Sequence, residues 1–498
     1  MKRNPSVFSF TCLTSAAALA ALCALAHAGE PYLVKDINPT GPSMPVSLRL
    51  MGNKVFFNAT DGVNGQELWV SNGTEQGTYM VKDIVPGADG CEPVVERSVN
   101  GKMFFQANGD NVDGLDLWAS DGSWAGTYRI KDTTPGEQNL PPGICGYGWL
   151  ETASLNGFFL YVADYPALGY ELWKSDGTVN GTTYVKNIRP GSEGGNPGYL
   201  TNVGSVLVFS ANDGSGYGVW RTDGTSGGTY KLSDTTPYDI VAVNGMAFFS
   251  AGYLPEQGGE LWITDPTGLN PHMVKDINPG PNPSTPNWMT ELNGFLIFNA
   301  YEPNTGRELW ISDGTEQGTV LLLDRNPGPA HGGGENLTNV NGSLFFSTYD
   351  PIEGSALWTS DGTAVGTVKV TVLGPPSASH NEVPGFFTPV NGKLYFRNDD
   401  GIHGIELWVS DGTAVGTYMV ADINPDSEFG CCDEIKNGNG VLFLVASDGV
   451  TASELWALDT REIQIPTVSP RGLVLMALLL GGAGLLVMRR RRCYRRTF

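Results

Sequence analysis

The chain has 498 residues, enough to bury a large core in one domain or in two. With 66 Gly, 32 Pro and only 16% charged residues, its composition favours short strands joined by turns over helices. The net charge of −22 repels nucleic acid and anionic lipid and attracts cations, so we expect no nucleic-acid partner.

Residues 1–28 have the organisation of a secretory signal peptide. Lys2 and Arg3 form a positive start, an apolar stretch follows, and Ala26-His27-Ala28 provides small residues, Ala26 and Ala28, before a cleavage site. We therefore expect an exported chain that begins at Gly29.

Four cysteines belong to the exported part, where disulfides are permitted: Cys91, Cys145, Cys431 and Cys432. Because Cys91 and Cys145 lie in the linkers that precede neighbouring repeats, we predict a bridge between them. Cys431 and Cys432 would then be a vicinal pair or two free thiols.

A repeat of about 48 residues fills residues 29–460. Its strongest copies read E-L-W-x-S-D-G-T-x-x-G-T, as in Glu308 to Thr319, and the anchor tryptophans are spaced by 42 to 55 residues. The anchors are Trp69, Trp118, Trp173, Trp220, Trp262, Trp310, Trp358, Trp408 and Trp456.

Each repeat divides into four strand-like pieces, with hairpin signals such as Asn341-Gly342 and the Asp-Gly-Thr turns. Four strands in 40 to 50 residues are typical of a β-propeller blade. The segment from Tyr32 to Ile37 matches a fourth strand, and the last repeat stops at Asp459 without one. We predict an all-β, propeller-like ring of about nine four-stranded blades, closed by the N-terminal strand. A ring with one irregular unit and two smaller assemblies are the alternatives.

The motif resembles that of the ELWxxDGT repeat proteins over residues 32 to 459. It is clean at Glu67, Glu171, Glu308 and Glu406, and Glu454 keeps the Glu-Leu-Trp part. The resemblance implies a propeller-like surface module without established catalytic residues.

The repeated residues have structural interpretations that we favour over functional ones. We interpret the tryptophans as blade core rather than sugar platforms, and the turn aspartates as backbone caps rather than metal ligands. The acidic loops before the Trp strands, including Asp110, Asp113, Asp399 and Asp400, carry oxygen ligands in a spacing that would suit weak Ca²⁺ binding. No other cofactor is indicated.

Catalytic motifs are missing from the sequence, and the mature-domain histidines lie in different repeats. We therefore predict a non-enzymatic binding or adhesion module for a surface glycan or protein. The alternatives are a structural envelope protein without a specific ligand, and a glycoside hydrolase or lyase with paired carboxylates at one ring mouth.

Residues 461–498 form a separate module. A linker (461–471) carries Ile465, Pro466, Thr467, Val468 and Ser469, an uncharged stretch (472–488) follows as a transmembrane helix, and an arginine-rich cytoplasmic tail (489–498) ends the chain. This order resembles the IPTL-CTERM sorting signal, a relative of PEP-CTERM. The resemblance implies cleavage by an exosortase-type membrane enzyme in a Gram-negative bacterium, after a transient stay in the inner membrane. A plain membrane anchor is the alternative.

Overall fold

The structure, a computed structural model, describes residues 29–109, 115–131, 151–165, 167–252, 258–265, 269–375, 384–425 and 431–461. The chain divides into two units, Met1–Thr460 and Arg461–Phe498, and Arg461 is the described residue of the second. The predicted signal peptide, sorting motif, transmembrane helix and arginine-rich tail lie outside the described residues. In the part of the chain that is described, no helix has the length and apolar character needed to cross a membrane.

The described residues form 36 strands in nine four-stranded antiparallel sheets, and each sheet is a blade. The chain begins with β1 (Tyr32–Lys35), which belongs to the last blade. Blades 1 to 4 then follow: β2 (Val46–Met51), β3 (Lys54–Thr60), β4 (Gln66–Ser71) and β5 (Tyr79–Lys82); β6 (Val94–Val99), β7 (Lys102–Ala107), β8 (Asp116–Ser120) and β9 (Tyr128–Lys131); β10 (Thr152–Leu155), β11 (Phe158–Tyr165), β12 (Gly169–Ser175) and β13 (Thr183–Lys186); β14 (Gly198–Val203), β15 (Val206–Asn212), β16 (Tyr217–Thr222) and β17 (Tyr230–Ser233).

Blades 5 to 8 repeat the pattern: β18 (Pro237–Val243), β19 (Met246–Ala251), β20 (Leu261–Ile263) and β21 (His272–Lys275); β22 (Asn287–Leu292), β23 (Phe295–Glu302), β24 (Gly306–Ser312) and β25 (Val320–Leu323); β26 (Glu335–Val340), β27 (Ser343–Asp350), β28 (Gly354–Ser360) and β29 (Val368–Val372); β30 (Gly385–Val390), β31 (Lys393–Asp399), β32 (Ile405–Ser410) and β33 (Tyr418–Ala421). Blade 9 consists of β34 (Cys431–Asn437), β35 (Val441–Ala446), β36 (Glu454–Asp459) and β1.

The innermost strands close the ring. Each innermost strand packs against those of the two neighbouring blades, and β2 of blade 1 packs against β34 of blade 9. The predicted β-propeller is therefore confirmed, with nine blades in one ring. We call the space around its axis the central channel.

The N-terminal strand completes blade 9 in the place expected from the sequence. It pairs antiparallel with β36, and Leu33 lies opposite Trp456. Its side chains also reach blade 1, where Lys35 Nζ donates to the carbonyl of Thr78 at 3.0 Å. The same Lys-to-Thr bond joins blade 1 to blade 2 through Lys82 and Thr127, at 2.8 Å. The closing strand thus makes the contacts of an ordinary outermost strand.

The core consists of nine apolar clusters, one between each pair of adjacent blades. Between blades 9 and 1, for example, Trp69 and Phe57 of blade 1 pack with Phe443 and Leu455 of blade 9. Because each sheet buries both faces, its strands read as apolar runs such as β3, five of whose seven residues are buried.

Candidate functional site

The motif tryptophans lie in the clusters between blades. Six of them are at most 9% exposed, and Trp262, Trp358 and Trp408 are partly buried against the same kind of cluster. These indole rings pack between blades and stabilise the interfaces.

The glutamate of the Glu-Leu-Trp motif binds the backbone of the linker that leads to the next blade. In blade 5 the buried Glu260 accepts hydrogen bonds from the amides of Ile277 (3.0 Å) and Ser284 (2.9 Å), and from Ser284 Oγ (2.5 Å). In blade 9, Glu454 accepts bonds from Ile37 N and Ser43 N, both at 3.1 Å. This carboxylate therefore fixes the linkers, and in blade 9 it also fixes the closing segment.

The aspartates of the Asp-Gly-Thr turns cap their own backbone. Asp313 Oδ1 accepts bonds from Thr315 N (2.8 Å) and Thr315 Oγ1 (2.7 Å), and these bonds hold the pKa of Asp313 below its usual value. The flanking Ser312 and Thr319 hydroxyls lie 2.7 Å apart and close the turn. The turns need no metal ion to hold this geometry.

The predicted calcium loops are only partly described, because Asp110 and Asp113 lie outside the described residues. Asp399 Oδ1 accepts a bond from Gly401 N at 2.7 Å. Asp400 Oδ1 accepts bonds from Ile402 N and His403 N, and its Oδ2 contacts His403 Nδ1 at 2.8 Å. Among the residues the structure describes, no group of three or more His, Cys, Asp or Glu side chains could hold a metal ion.

The predicted bridge between Cys91 and Cys145 is not formed. Cys91 is a free, fully buried thiol whose Sγ donates to Glu67 Oε2 at 3.0 Å, and burial raises its pKa. Its place in the repeat corresponds to that of Ser284 and Ser43, whose hydroxyls bond the equivalent glutamates. Cys145 lies outside the described residues, and Cys432 is disulfide-bonded.

A ring of unlike side chains surrounds the channel near the start of each innermost strand. In eight blades a bulge interrupts the pairing of this strand with the second one, and in blade 3 the corresponding residue directly precedes β10. The members of this bulge ring, in chain order, are Ser47, Glu96, Glu151, Tyr199, Asp239, Trp288, Asn336, Phe386 and Glu434.

The backbone at the bulge adopts a conformation that is rare for large side chains. Tyr199, Trp288 and Phe386 have φ values of 57°, 52° and 54°. Positive φ in a bulky residue is uncommon and is concentrated at functional sites. Because neighbouring blades cover both faces of each innermost strand, the channel is the open side toward which an exposed side chain can turn.

Polar and aromatic members alternate around the ring from blade 3 to blade 9. The polar members bond the next blade: Glu434 accepts from Ser47 N (2.7 Å) and Leu48 N (3.0 Å), and Glu151 accepts from Leu200 N at 3.3 Å. The aromatic members Tyr199, Trp288 and Phe386 are 40%, 44% and 43% exposed. The carboxylates thus hold the wall together while the rings face solvent.

The ring members of blades 3 to 6 include two carboxyl groups and two aromatic rings. We call Glu151, Tyr199, Tyr238, Asp239 and Trp288 the channel-mouth site. Tyr199 and Tyr238 meet edge to face with ring centroids 6.2 Å apart. Asp239 accepts a bond from Met289 N, next to Trp288. Two carboxyl groups and three exposed aromatic rings therefore lie on four adjacent blades.

The electrostatics of this site favour protonated groups. Burial raises the pKa of Asp239 above its usual value, against the lowering effect of the Met289 amide. Burial also raises the pKa of Tyr199, and the nearby charges of Glu151 and Asp239 raise it further. Tyr199 therefore lies within electrostatic reach of both carboxyl groups, one on each neighbouring blade.

Sequence reasoning did not identify the bulge ring, because its members differ in type from repeat to repeat. A positional signal exists nonetheless. Tyr199 and Trp288 both lie four residues before the apolar residue that ends the strand, Val203 and Leu292 respectively. Aligning the repeats on their hairpin turns would place eight of the ring members in one column, with Glu96 one residue later.

No protein-family model matches the chain, and no curated protein matches it either. Solved structures similar to it include puromycin hydrolase, with a TM-score of 0.34, 15% identity and coverage of 74% of this chain and 61% of that chain. A Mycobacterium tuberculosis puromycin-hydrolyzing peptidase gives 0.35, 11%, 74% and 61%, and a prolyl endopeptidase gives 0.38, 11%, 74% and 54%. The chain spans less than two thirds of the length of each.

These comparisons contradict two predictions made from the sequence. All of the similar solved structures named above are hydrolases or peptidases, so the prediction of a non-enzymatic binding or adhesion module is corrected. The prediction that the chain is not an enzyme is corrected on the same finding.

Proposed function

We propose that the chain is a glycoside hydrolase whose active site is the channel-mouth site. The observation that carries this proposal is the pair of carboxyl groups, Glu151 and Asp239, set among the exposed rings of Tyr199, Tyr238 and Trp288. Sugars present flat apolar faces that stack on aromatic rings, and most glycoside hydrolases use two carboxyl groups.

The two carboxyl groups have different roles in the proposed reaction. Asp239, which keeps its proton to higher pH, donates it to the glycosidic oxygen as the bond from that oxygen to the sugar carbon breaks. Glu151 accepts a proton from the water that attacks the same carbon. Tyr199 stays protonated and donates a hydrogen bond to the sugar, and Trp288 supports the sugar ring.

Substitution of Asp239 tests the role of the general acid. We expect Asp239→Asn to lower kcat by roughly 10²- to 10⁴-fold on a polysaccharide that the wild type cleaves, since general acid catalysis contributes about this much. Asp234→Asn is the matched control, because Asp234 is an exposed aspartate in the linker between blades 4 and 5, where it pairs with Lys231 of the outermost strand of blade 4. Release of reducing ends is measured for both variants, together with their melting temperatures.

A panel of polysaccharides and peptides, incubated with the wild type, shows which polymer is cleaved. Cleavage of peptides without any glycan cleavage would contradict the proposal. An unchanged rate in Asp239→Asn, with the fold intact, would remove Asp239 from the active site.

We also propose that the chain is an exported ELWxxDGT repeat protein that an exosortase-type enzyme sorts to the surface of a Gram-negative cell or to the medium. The support is the order of features in the sequence: a signal peptide, the repeats, Ile465 to Ser469, an apolar segment for a transmembrane helix (472–488) and a basic end. The propeller, which is acidic and is proposed to bind a polysaccharide, would then act outside the cytoplasm.

Cleavage near Thr467 is the testable consequence of this sorting proposal. Pro466 disfavours helix at Ile465, so the motif is expected to be extended and open to a membrane protease. We expect the surface protein to end near Thr467, and the double substitution Pro466→Ala and Thr467→Ala to retain a larger form in the inner membrane. Intact-mass measurement decides, and a surface protein that still ends at Phe498 would leave only a plain anchor.

A further inference from the structure

Three cationic side chains lie next to one another on the innermost strands of blades 9, 1 and 2. Lys436, Arg49 and Arg97 occupy one position of the repeat. In blade 2 this position is Arg97, which lies two residues before the end of the innermost strand. In the other six blades this position holds a small or aliphatic residue: Ala153, Thr201, Val241, Thr290, Thr338 and Thr388. We call the three cations the cationic arc.

The cations of the arc keep unused hydrogen-bond donors. Arg49 donates from Nε to Glu96 O at 3.1 Å and from Nη1 to Leu48 O at 3.0 Å, which leaves Nη2. Arg97 uses Nη2, which donates to Thr152 O at 3.2 Å. Within the described part of the chain, the half-buried ammonium of Lys436 has no hydrogen-bond or ion-pair partner.

The nearby carboxyl groups do not saturate the arc. Both oxygens of Glu434 accept backbone amides of blade 1, and Glu96 Oε1 accepts from Gln106 Nε2 at 3.3 Å. Burial raises the pKa of Glu96, against the lowering effects of Gln106, Arg49 and Arg97. Burial lowers the pKa of the Lys436 ammonium, the charge of Glu434 raises it, and the charge of Arg49 lowers it further. Repulsion between cations that remain together is relieved by an anion placed between them.

The cationic arc stands out because the chain as a whole carries a charge of −22. An acidic surface repels polyanions, so a local group of cations on the channel wall concentrates affinity for an anion there. Guanidinium groups also match the two oxygens of a carboxylate or sulfate. The arc lies on blades 9, 1 and 2, directly beside blade 3, where the channel-mouth site begins.

We propose that the cationic arc binds the anionic groups of an acidic polysaccharide and so selects the substrate. This inference rests on the proposed glycoside hydrolase function. The carboxylates or sulfates of one part of the polymer lie against Lys436, Arg49 and Arg97, and another part of the same polymer reaches Trp288 and Asp239. A neutral polymer forms no ionic contact with the arc, so the arc does not increase its binding affinity.

Calorimetric titration of the full chain with polygalacturonate, sulfated dextran and neutral dextran tests the proposal. We expect Lys436→Met to weaken binding of at least one acidic polymer by about tenfold, and Lys436→Met with Arg49→Met to weaken it further. Higher salt should weaken binding to the wild type more than to the double variant. Lys393→Met is the control, since Lys393 is exposed at the start of β31.

The two acidic probes separate a carboxylate-specific site from a sulfate-specific one. Unchanged affinity in variants that melt like the wild type, or equal affinity for neutral dextran, would overturn the inference. Cleavage of a neutral glycan by both wild type and double variant would overturn it while leaving the proposed hydrolase intact. Acidic-polymer binding that depends on the arc, without any glycan cleavage, would refute the hydrolase function and leave the arc as an anion site.

Discussion

At the scale of single residues, different side chains donate the same hydrogen bond to the buried glutamates. Ser284 and Ser43 donate hydroxyl hydrogen bonds to the buried glutamates of blades 5 and 9, and in blade 1 the Cys91 thiol takes their place. The glutamates would be costly to bury without such donors. Cys91 is therefore explained by its bond to Glu67 and needs no disulfide partner.

Substitution of Cys91 tests this explanation. Cys91→Ser keeps a donor for Glu67, so we expect a stability within about 0.5 kcal/mol of the wild type. Cys91→Ala removes the donor and leaves Glu67 with two backbone bonds, which should cost about 1–2 kcal/mol. Denaturant unfolding measures both, and equal stability of the Ser and Ala variants would show that the thiol does not support Glu67.

The aromatic members of the bulge ring make a second prediction at this scale. Trp288→Ala removes an exposed ring that the proposed site uses for stacking, so KM for the cleaved glycan should rise by about tenfold, equivalent to roughly 1.4 kcal/mol. Trp124→Ala is the matched control, because Trp124 is 67% exposed in a turn of blade 2. A similar change in KM for both variants would argue against a stacking role for Trp288.

At the scale of elements, the strands could be predicted from hydrophobic runs and turn residues. Asn341-Gly342 predicts a two-residue hairpin, and both residues have positive φ, 51° and 88°. In the Asp-Gly-Thr turns the glycine alone has positive φ, 91° at Gly314, and the aspartate caps the turn. The bulges in the innermost strands could not be predicted, because Tyr, Trp and Phe at positive φ contradict local preferences and depend on contacts with the next blade.

Deletion of residues 29–38 tests the closing strand. It removes the buried Val34 and Ile37 and the pairing with β36, and it takes the Ile37 amide from Glu454. Burial of two such side chains stabilises by about 3–6 kcal/mol, so we expect a melting temperature lower by roughly 5–10 °C and aggregation through the new edge. Deletion of residues 29–31 alone, which precede β1, is the control. Identical melting of both truncations would show that the ring does not need β1.

At the scale of the whole molecule, the spare strand at one end and the missing strand at the other predicted a closed ring, because both observations concern the same sheet. The channel-mouth site could not be predicted in this way. Its residues, such as Glu151 and Trp288, come from positions that share no residue type and lie on separate blades, which become neighbours only in the folded ring. A function argued from the repeated residues alone therefore favoured a module without catalysis.

The pH dependence of stability follows from carboxyl groups repeated around the ring. Burial raises the pKa of Glu260, Glu308 and Glu406 to about 7, from an ordinary value of 4.5. Because the folded protein binds these protons more tightly than the unfolded chain, their contribution to stability is complete below about pH 4.5 and is lost as the pH rises through 7. The turn aspartates, whose pKa values are lowered, lose their contribution only below the ordinary value of 3.8.

We therefore expect the melting temperature to be highest near pH 5 and to fall toward pH 8. Glu308→Gln, which imitates the protonated acid, should flatten this fall, whereas Glu316→Gln at an exposed turn should not. Thermal unfolding at a series of pH values measures the effect. A melting temperature that rises steadily from pH 5 to pH 8 would contradict the assignment of these groups.

The most direct test of the proposed function is the structure of the Asp239→Asn variant bound to an acidic oligosaccharide from a polymer that the wild type cleaves. The proposal predicts a sugar ring stacked on Trp288 or Tyr199, its glycosidic oxygen within hydrogen-bond distance of residue 239, and an anionic group against Lys436 or Arg49. An oligosaccharide bound on the outer faces of the blades, with the channel mouth unoccupied, would contradict it.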